Sequence, residues 1–198
     1  MSFASAGQPE RRRRVTDLTE LRALAHPLRL ALLDQLMSFG PQTAAQCAAG
    51  VGSTTSNCSY HLRALGRAGL VERVESSSDG RERPWRAAAT GLHYGSDAEG
   101  TSPAVAEAAL ALDELSMARE EELTRQARRR HASQPEPWRS AEAFHDYALR
   151  VTAEELARLT AEIDRLLRPY ITLTRATAPP AAAVTRVRLQ AFRDPRAP

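Results

Sequence analysis

Two helical segments separated by a glycine turn, within residues 43–69, constrain this 198-residue chain more than any other feature. Thr43 can cap a short alanine-rich helix, which Gly52 helps to end after about two turns. Thr54 can cap a second, longer helix that runs up to Gly69, a residue type suited to the position just past a helix end. This order of short helix, tight turn and longer helix is the pattern of a helix-turn-helix.

The longer helix carries an unusual number of hydrogen-bonding side chains. Cys58, Leu62 and Leu65 recur at helical spacing and form one apolar stripe, which leaves the polar residues on the other faces. In a helix-turn-helix, the first residues of the second helix lie against base edges in the major groove of DNA. His61 has three interpretations, as a partly buried packing residue, a phosphate contact or a base. The predicted DNA-binding residues of this helix are Thr54, Thr55, Ser56, Asn57, Tyr60, His61 and Arg63.

A basic hairpin is predicted to follow this helix. The segments "LVERVE" and "PWRAAA" are typical of two strands, and "SSSDGRER" between them contains Asp79-Gly80 as the expected turn. Arg81 and Arg83 would lie at its tip, where arginines can follow DNA phosphates or enter the minor groove. The alternative for each of these polar and basic residues is ordinary solvated surface. Their occurrence together favours binding to double-stranded DNA.

The same residues carry a family resemblance. The segments "LRALAHPLRLALLDQL" and "TAAQCAAGVGSTTSNCSYHLRALGRAGLVERVESSSDGRERPWRAAATG" resemble the winged helix-turn-helix domain of ArsR-type bacterial transcriptional regulators, over about residues 17–91. The resemblance implies a homodimeric DNA-binding regulator, usually a repressor released from DNA by a metal or small molecule. It also implies that the helix starting at Thr54 is the recognition helix and that "SSSDGRER" is the wing.

Composition and turn signals divide the rest of the chain. The predicted parts are a flexible basic arm over 1–16, the winged domain over 17–91, a linker over 92–103 and a C-terminal dimerisation and possible effector domain over 104–198. The expected fold class is mainly α with small β, a winged helix-turn-helix domain plus a helical and β C-terminal extension.

The extension has two helical patterns and two strand-like segments. We expect helices at about 104–130 and from the capping box at Thr152 to about residue 168. The segments "AFHDYALRV" and "AVTRVRLQAF" have enough alternation to predict strands.

An apolar stripe on the first of these helices predicts association. Val105, Ala108, Leu112 and Leu115 lie at helical spacing, and a glycine-rich linker separates them from the winged domain. We therefore predict that this stripe forms a homodimer interface. The alternative is that it folds back on the helix over 152–168 within one subunit.

Charge and hydropathy exclude some classes of protein. The chain has 27 Lys+Arg, all of them arginine, against 24 Asp+Glu, a net charge of only +3. No segment approaches the 18 or so uninterrupted apolar residues of a membrane-spanning helix, and the arginine run near the N-terminus is followed by polar residues. We expect a cytoplasmic protein that does not enter membranes.

The cysteines and histidines do not indicate a metal, a cofactor or an enzyme. Cys47 and Cys58 fall at positions expected to be buried, so we interpret them as small packing residues. His145 and Asp146 are adjacent in a predicted strand, which would point them to opposite faces. An enzyme using Cys58 and His61 is one alternative, although no third group is evident to orient His61. A protein-interaction adaptor is the other, and it would leave the basic hairpin unexplained.

Overall fold

The computed structural model describes residues 13–74, 83–94, 101–171, 173–175 and 177–196. Its helices are α1 (Leu18–Leu24), α2 (Pro27–Phe39), α3 (Ala44–Val51), α4 (Thr55–Arg67), α5 (Pro103–His131), α6 (Glu136–Ala141) and α7 (Ala153–Leu167). Its strands are β1 (Arg13–Val15), β2 (Val71–Arg73), β3 (Trp85–Ala87) and β4 (Leu92–Tyr94), and a 3-10 turn spans Arg168–Tyr170. The predicted fold class, mainly α with small β, is confirmed. No helix in these ranges is both long enough and apolar enough to cross a bilayer.

Local capping chemistry sets the helix boundaries. The Asp17 carboxylate accepts hydrogen bonds from two backbone N–H groups at the start of α1, and Pro27 occupies the first turn of α2. The Thr43 capping box at the start of α3 is complete, with both reciprocal hydrogen bonds present. Gly69 has φ +67°, a left-handed conformation that side chains disfavour, and it ends α4 as the sequence predicts.

The wing is a short antiparallel hairpin of β2 and β3, in which Val71 pairs with Ala87 and Arg73 with Trp85. Trp85 also exchanges two backbone hydrogen bonds with Gln42, at 2.7 and 2.9 Å. Because Gln42 lies between α2 and α3, the wing is attached directly to the helical core. The predicted turn at Asp79-Gly80 and the wing residue Arg81 lie outside the described residues.

Two boundaries differ from the sequence prediction. Residues 13–15, expected in the flexible arm, form β1, and residues 92–94, expected in the linker, form β4; these two strands pair in parallel. Arg13 fixes β1 further, because its guanidinium donates to the Gly69 carbonyl oxygen at 2.5 Å and pairs with Glu20. A parallel pair joins residues almost 80 positions apart, which local patterns do not reveal.

Helix α5 spans the predicted helix but packs differently from the prediction. Leu112 is fully buried within the chain, and Val105, Ala108 and Leu115 pack partly buried against the same core, on the side of α1. The prediction that this stripe forms the dimer interface is therefore wrong for Leu112, which has no surface left for a second subunit. The glycine-rich linker predicted a stripe beyond the reach of the winged domain, whereas α1 covers it.

The extension contains helices but, among its described residues, no strand. The Thr152 capping box is complete and starts α7 as predicted. The segments "AFHDYALRV" and "AVTRVRLQAF" are not strands, because neither has a neighbouring strand with which to pair. Phe144 instead lies against the end of α5, with the Arg128 guanidinium 4.4 Å from its ring centroid.

An ion-pair cluster joins the extension to the winged domain. The two carboxylate oxygens of Asp34, on α2, accept from Arg119 at 2.9 Å and from Arg186 at 2.8 Å. Arg186 also pairs with Glu120 at 2.6 Å. The segment around Arg186 is therefore held against α2 and α5 by charge-assisted hydrogen bonds.

Candidate nucleic-acid interface

The first turn of α4 presents polar side chains to solvent. The Thr54 hydroxyl oxygen accepts from the Asn57 backbone N–H at 3.2 Å, which satisfies one of the free donors at the helix start. The side chains of Thr55, Ser56 and Asn57 are exposed, and the Asn57 amide donates to the Ser53 hydroxyl at 3.2 Å. The predicted reading residues are thus brought together on one open turn, with amide and hydroxyl groups suited to base edges.

Further along α4, the exposed face continues and the opposite face is buried. Tyr60 is 62% exposed, and Arg63 is exposed with its Nε–H donating to the Ser59 carbonyl at 3.0 Å. Cys58, Leu62 and Leu65 are fully buried, as the apolar stripe predicts. The helix is therefore fixed by one face while the other remains available to a ligand.

His61 is half-buried and lies against the ring of His26, with the ring centroids 4.4 Å apart. The His26 Nδ1 accepts from the Leu28 backbone N–H and caps α2, so this contact ties α4 to the start of α2. Burial lowers the pKa of His61, and the neighbouring His26 and Arg29 lower it further. Of the three interpretations of His61, this environment favours a packing residue.

The two cysteines are buried on the packed helices α3 and α4. Burial, and to a lesser degree the neighbouring Cys58, raises the pKa of the Cys47 thiol to about 11, and burial also raises the pKa of Cys58. A thiol of this kind is a poor nucleophile. This burial supports the interpretation of Cys47 and Cys58 as packing residues.

The wing presents Arg83 in an exposed position beside β3. The guanidinium of Arg73 donates to the Arg83 carbonyl oxygen and lies 4.0 Å from the centroid of the Trp85 ring. Arg73 therefore links the two wing strands by a hydrogen bond and a cation–π contact. The sequence pattern marks both residues as parts of a hairpin but does not show that they stack.

A groove of about 420 Å³ separates the second half of α4 from the wing. Three arginines, Arg63, Arg67 and Arg73, line it together with Trp85. Of the residues that line this groove, only Arg63 is among the DNA-binding residues predicted from the sequence. Elsewhere, no group of three or more His, Cys, Asp or Glu side chains in the described parts of the chain is arranged to hold a metal ion.

A family model described as a helix-turn-helix domain matches residues 24–74, from the end of α1 to just past β2. This match covers about a quarter of the chain. The predicted helix-turn-helix is thereby confirmed, and such a domain supports a role in DNA-binding transcriptional regulation. No curated protein shows significant similarity to the chain.

Several solved structures of transcriptional regulators are similar to this chain. One is a homodimeric winged helix-turn-helix DNA-binding domain from Mycobacterium bovis, a possible ArsR-family regulator, with 24% identity, 53% of this chain and 79% of that chain covered, and a TM-score of 0.34. Another is a possible transcriptional regulator for arsenical resistance. It has 30% identity and a TM-score of 0.32, and the match covers 61% of this chain and 100% of that chain. A MarR-family regulator from Silicibacter pomeroyi has 17% identity and a TM-score of 0.31, and the match covers 72% of this chain and 70% of that chain. The ArsR-type resemblance predicted from the sequence agrees with the descriptions of the first two of these structures.

Proposed function

We propose that this protein is a sequence-specific transcriptional repressor that binds DNA as a homodimer and is regulated by a small-molecule effector. The observation that carries the proposal is the open first turn of α4, where Ser56 and Asn57 are exposed on the same helix whose second half faces an arginine-bearing wing. In this arrangement α4 lies in the major groove, Asn57 pairs with a base edge, and Arg83 contacts the backbone or the adjacent minor groove. Repression and an effector follow from the ArsR-type resemblance.

The reading role of Asn57 has a direct test. We expect selection of bound fragments from random duplex DNA to yield a palindrome, because a two-fold dimer presents two copies of α4. On the selected site, Asn57→Ala should cost about 1–3 kcal/mol, with a smaller loss on unrelated duplexes. Equal losses on all sequences would contradict base reading by Asn57. Recovery of no preferred sequence would contradict the proposed function itself.

A homodimer needs a surface other than the α5 stripe, and α7 offers one. Among the described residues, thirteen large hydrophobic side chains are exposed, and eleven of them lie between Leu110 and Phe192. Helix α7 contributes no buried residue, and Leu166 is 64% exposed. The apolar residues of α7 and the following turn have alternating spacings of three and four, the heptad pattern of helices that pair. They are Leu156, Leu159, Ile163, Leu166 and Tyr170.

The spacing of these apolar residues supports a second copy as the partner. A heptad face is also self-complementary, so two copies of α7 can cover each other.

Light scattering tests the dimer. We expect twice the chain mass of 21.7 kDa for the native protein and for Leu110→Glu, which places the same charge on a residue of α5 that is 61% exposed. The double variant Ile163→Glu with Leu166→Glu should be a folded monomer with much weaker binding to the palindrome. A native monomer, or a double variant that stays dimeric, would contradict the use of α7.

A further inference from the structure

We infer that the groove between α4 and the wing seats the sugar–phosphate backbone of one DNA strand, and that Arg67 with Arg63 binds its phosphates. The inference rests on the DNA binding proposed above and extends it to a surface beyond the first turn of α4. The sequence analysis does not include Arg67 among the predicted DNA-binding residues, and Arg67 lies thirteen residues after Thr54, at the other end of α4.

The position of the groove follows from the geometry of duplex DNA. A single sugar–phosphate backbone separates the major groove from the adjacent minor groove. If the start of α4 lies in the major groove and the wing reaches the minor groove, that backbone must pass between α4 and the wing. The groove of about 420 Å³ lies between these same two elements.

The charge of the groove suits a phosphate. Arg63 and Arg67 are exposed and one helical turn apart, and no ion pair within the described residues involves either of them. Arg63 donates its Nε–H to the Ser59 carbonyl, which directs the guanidinium along the helix. Glu72, a carboxylate lining the groove, accepts from Arg86 at 2.7 Å, so its charge is already compensated. Guanidinium groups are well suited to bind phosphate oxygens in this setting.

The floor of the groove is apolar and held in place. The Trp85 ring packs so closely on α4 that a Cβ at Gly66 would lie 3.0 Å from its Cζ3 atom. Backbone hydrogen bonds to Gln42 and the stacked Arg73 guanidinium hold Trp85 from two other sides. Trp85 is 6% exposed, so it fixes the spacing between α4 and the wing, and the exposed Arg63 and Arg67 are the groups that can contact phosphates.

A small anionic effector is the other occupant with matching chemistry. Small-molecule pockets usually enclose most of the ligand surface. This groove is largely open to solvent, which favours an extended DNA backbone over an enclosed ligand.

Salt-dependent binding tests the inference. Fluorescence anisotropy would measure the affinity of the full chain for its selected duplex and for a random duplex, between 50 and 200 mM NaCl. For Arg67→Ala we expect weaker binding to both duplexes and a salt slope lower by about 0.9 for the lost phosphate contact. The ratio of the wild-type affinity to the affinity of Arg67→Ala should then fall by about 3.5-fold between 50 and 200 mM NaCl.

Two further variants complete the design. Arg67→Lys keeps the charge and should restore most of the slope, whereas Arg129→Ala removes an exposed arginine of α5 and should change nothing. An unchanged slope in Arg67→Ala, or a loss confined to the selected duplex, would overturn the inference while the wild type still binds DNA. A wild type that binds neither duplex would instead overturn the proposed function. A third outcome is that a free aromatic or phosphate anion binds in the groove while Arg67→Ala leaves the affinity for DNA unchanged. That outcome would assign the groove to an effector and would also overturn the inference.

Discussion

Replacing Leu112 with alanine tests whether α5 belongs to the core of the winged domain. Leu112 is 0% exposed and lies in the same cluster as the buried leucines of α1 and α2. Truncating a buried leucine removes its transfer free energy and leaves a cavity, at a typical total cost of about 3–5 kcal/mol. For a chain of this length, a loss of about 3 kcal/mol corresponds to a melting temperature lower by about 6–12 °C.

Urea unfolding followed by far-ultraviolet circular dichroism would measure this loss. Leu110→Ala is the matched control, because it makes the same truncation two positions earlier on α5 at a side chain that is 61% exposed. We expect the control to stay within about 0.5 kcal/mol of the wild type. The reasoning is refuted if Leu112→Ala is as stable as the control but dissociates a dimer. That result would return Leu112 to the interface that the sequence pattern predicts.

Three further predictions concern charged and titrating groups. Arg186→Ala should lower the free energy of unfolding by about 1 kcal/mol or less, because Arg186 is partly exposed, and 1 M NaCl should remove most of the difference; an equal loss at high salt would point to packing. The pKa of His61 is lower in the folded chain than its ordinary value of 6.5, so the unfolded chain binds this proton at higher pH. The contribution of His61 to the free energy of unfolding should therefore be fully present above about pH 6.5 and be lost as the pH falls through the folded pKa. In urea titrations, His61→Asn should weaken this dependence on pH. Cys47 and Cys58 should resist iodoacetamide at pH 8 until the chain is denatured, and mass spectrometry showing rapid labelling of the native protein would contradict their burial.

Features set by neighbouring residues could be predicted from the sequence. The capping boxes at Thr43 and Thr152 and the left-handed Gly69 depend on chemistry within a few positions, and each lies where the pattern predicts. The polar first turn of α4 was predictable for the same reason, because the buried stripe through Cys58 determines which side chains face outwards. Whether those side chains bind DNA stays a prediction.

Features set by distant residues could not be predicted in this way. The pairing of β1 with β4 and the docking of Leu112 depend on which surface the winged domain leaves uncovered, and periodicity shows only that a face is apolar. The strand-like alternation over 183–192 has the same limitation, since a strand forms only where a second strand is present. The groove at Arg67 depends on the contact between Gly66 and the Trp85 ring, which lie on separate elements.

The ion pairs of Asp34 also determine the order in which the chain can assemble during synthesis. Asp34 meets Arg119 across 85 positions and Arg186 across 152, so the second pair closes the longer loop. At about 5–20 residues per second, the ribosome needs roughly 3–13 s to extend the chain from Arg119 to Arg186. During that interval Arg119 is already in the chain and Arg186 has not been synthesised. The ion pair with Arg186 can therefore be added only after the winged domain and α5 have been synthesised.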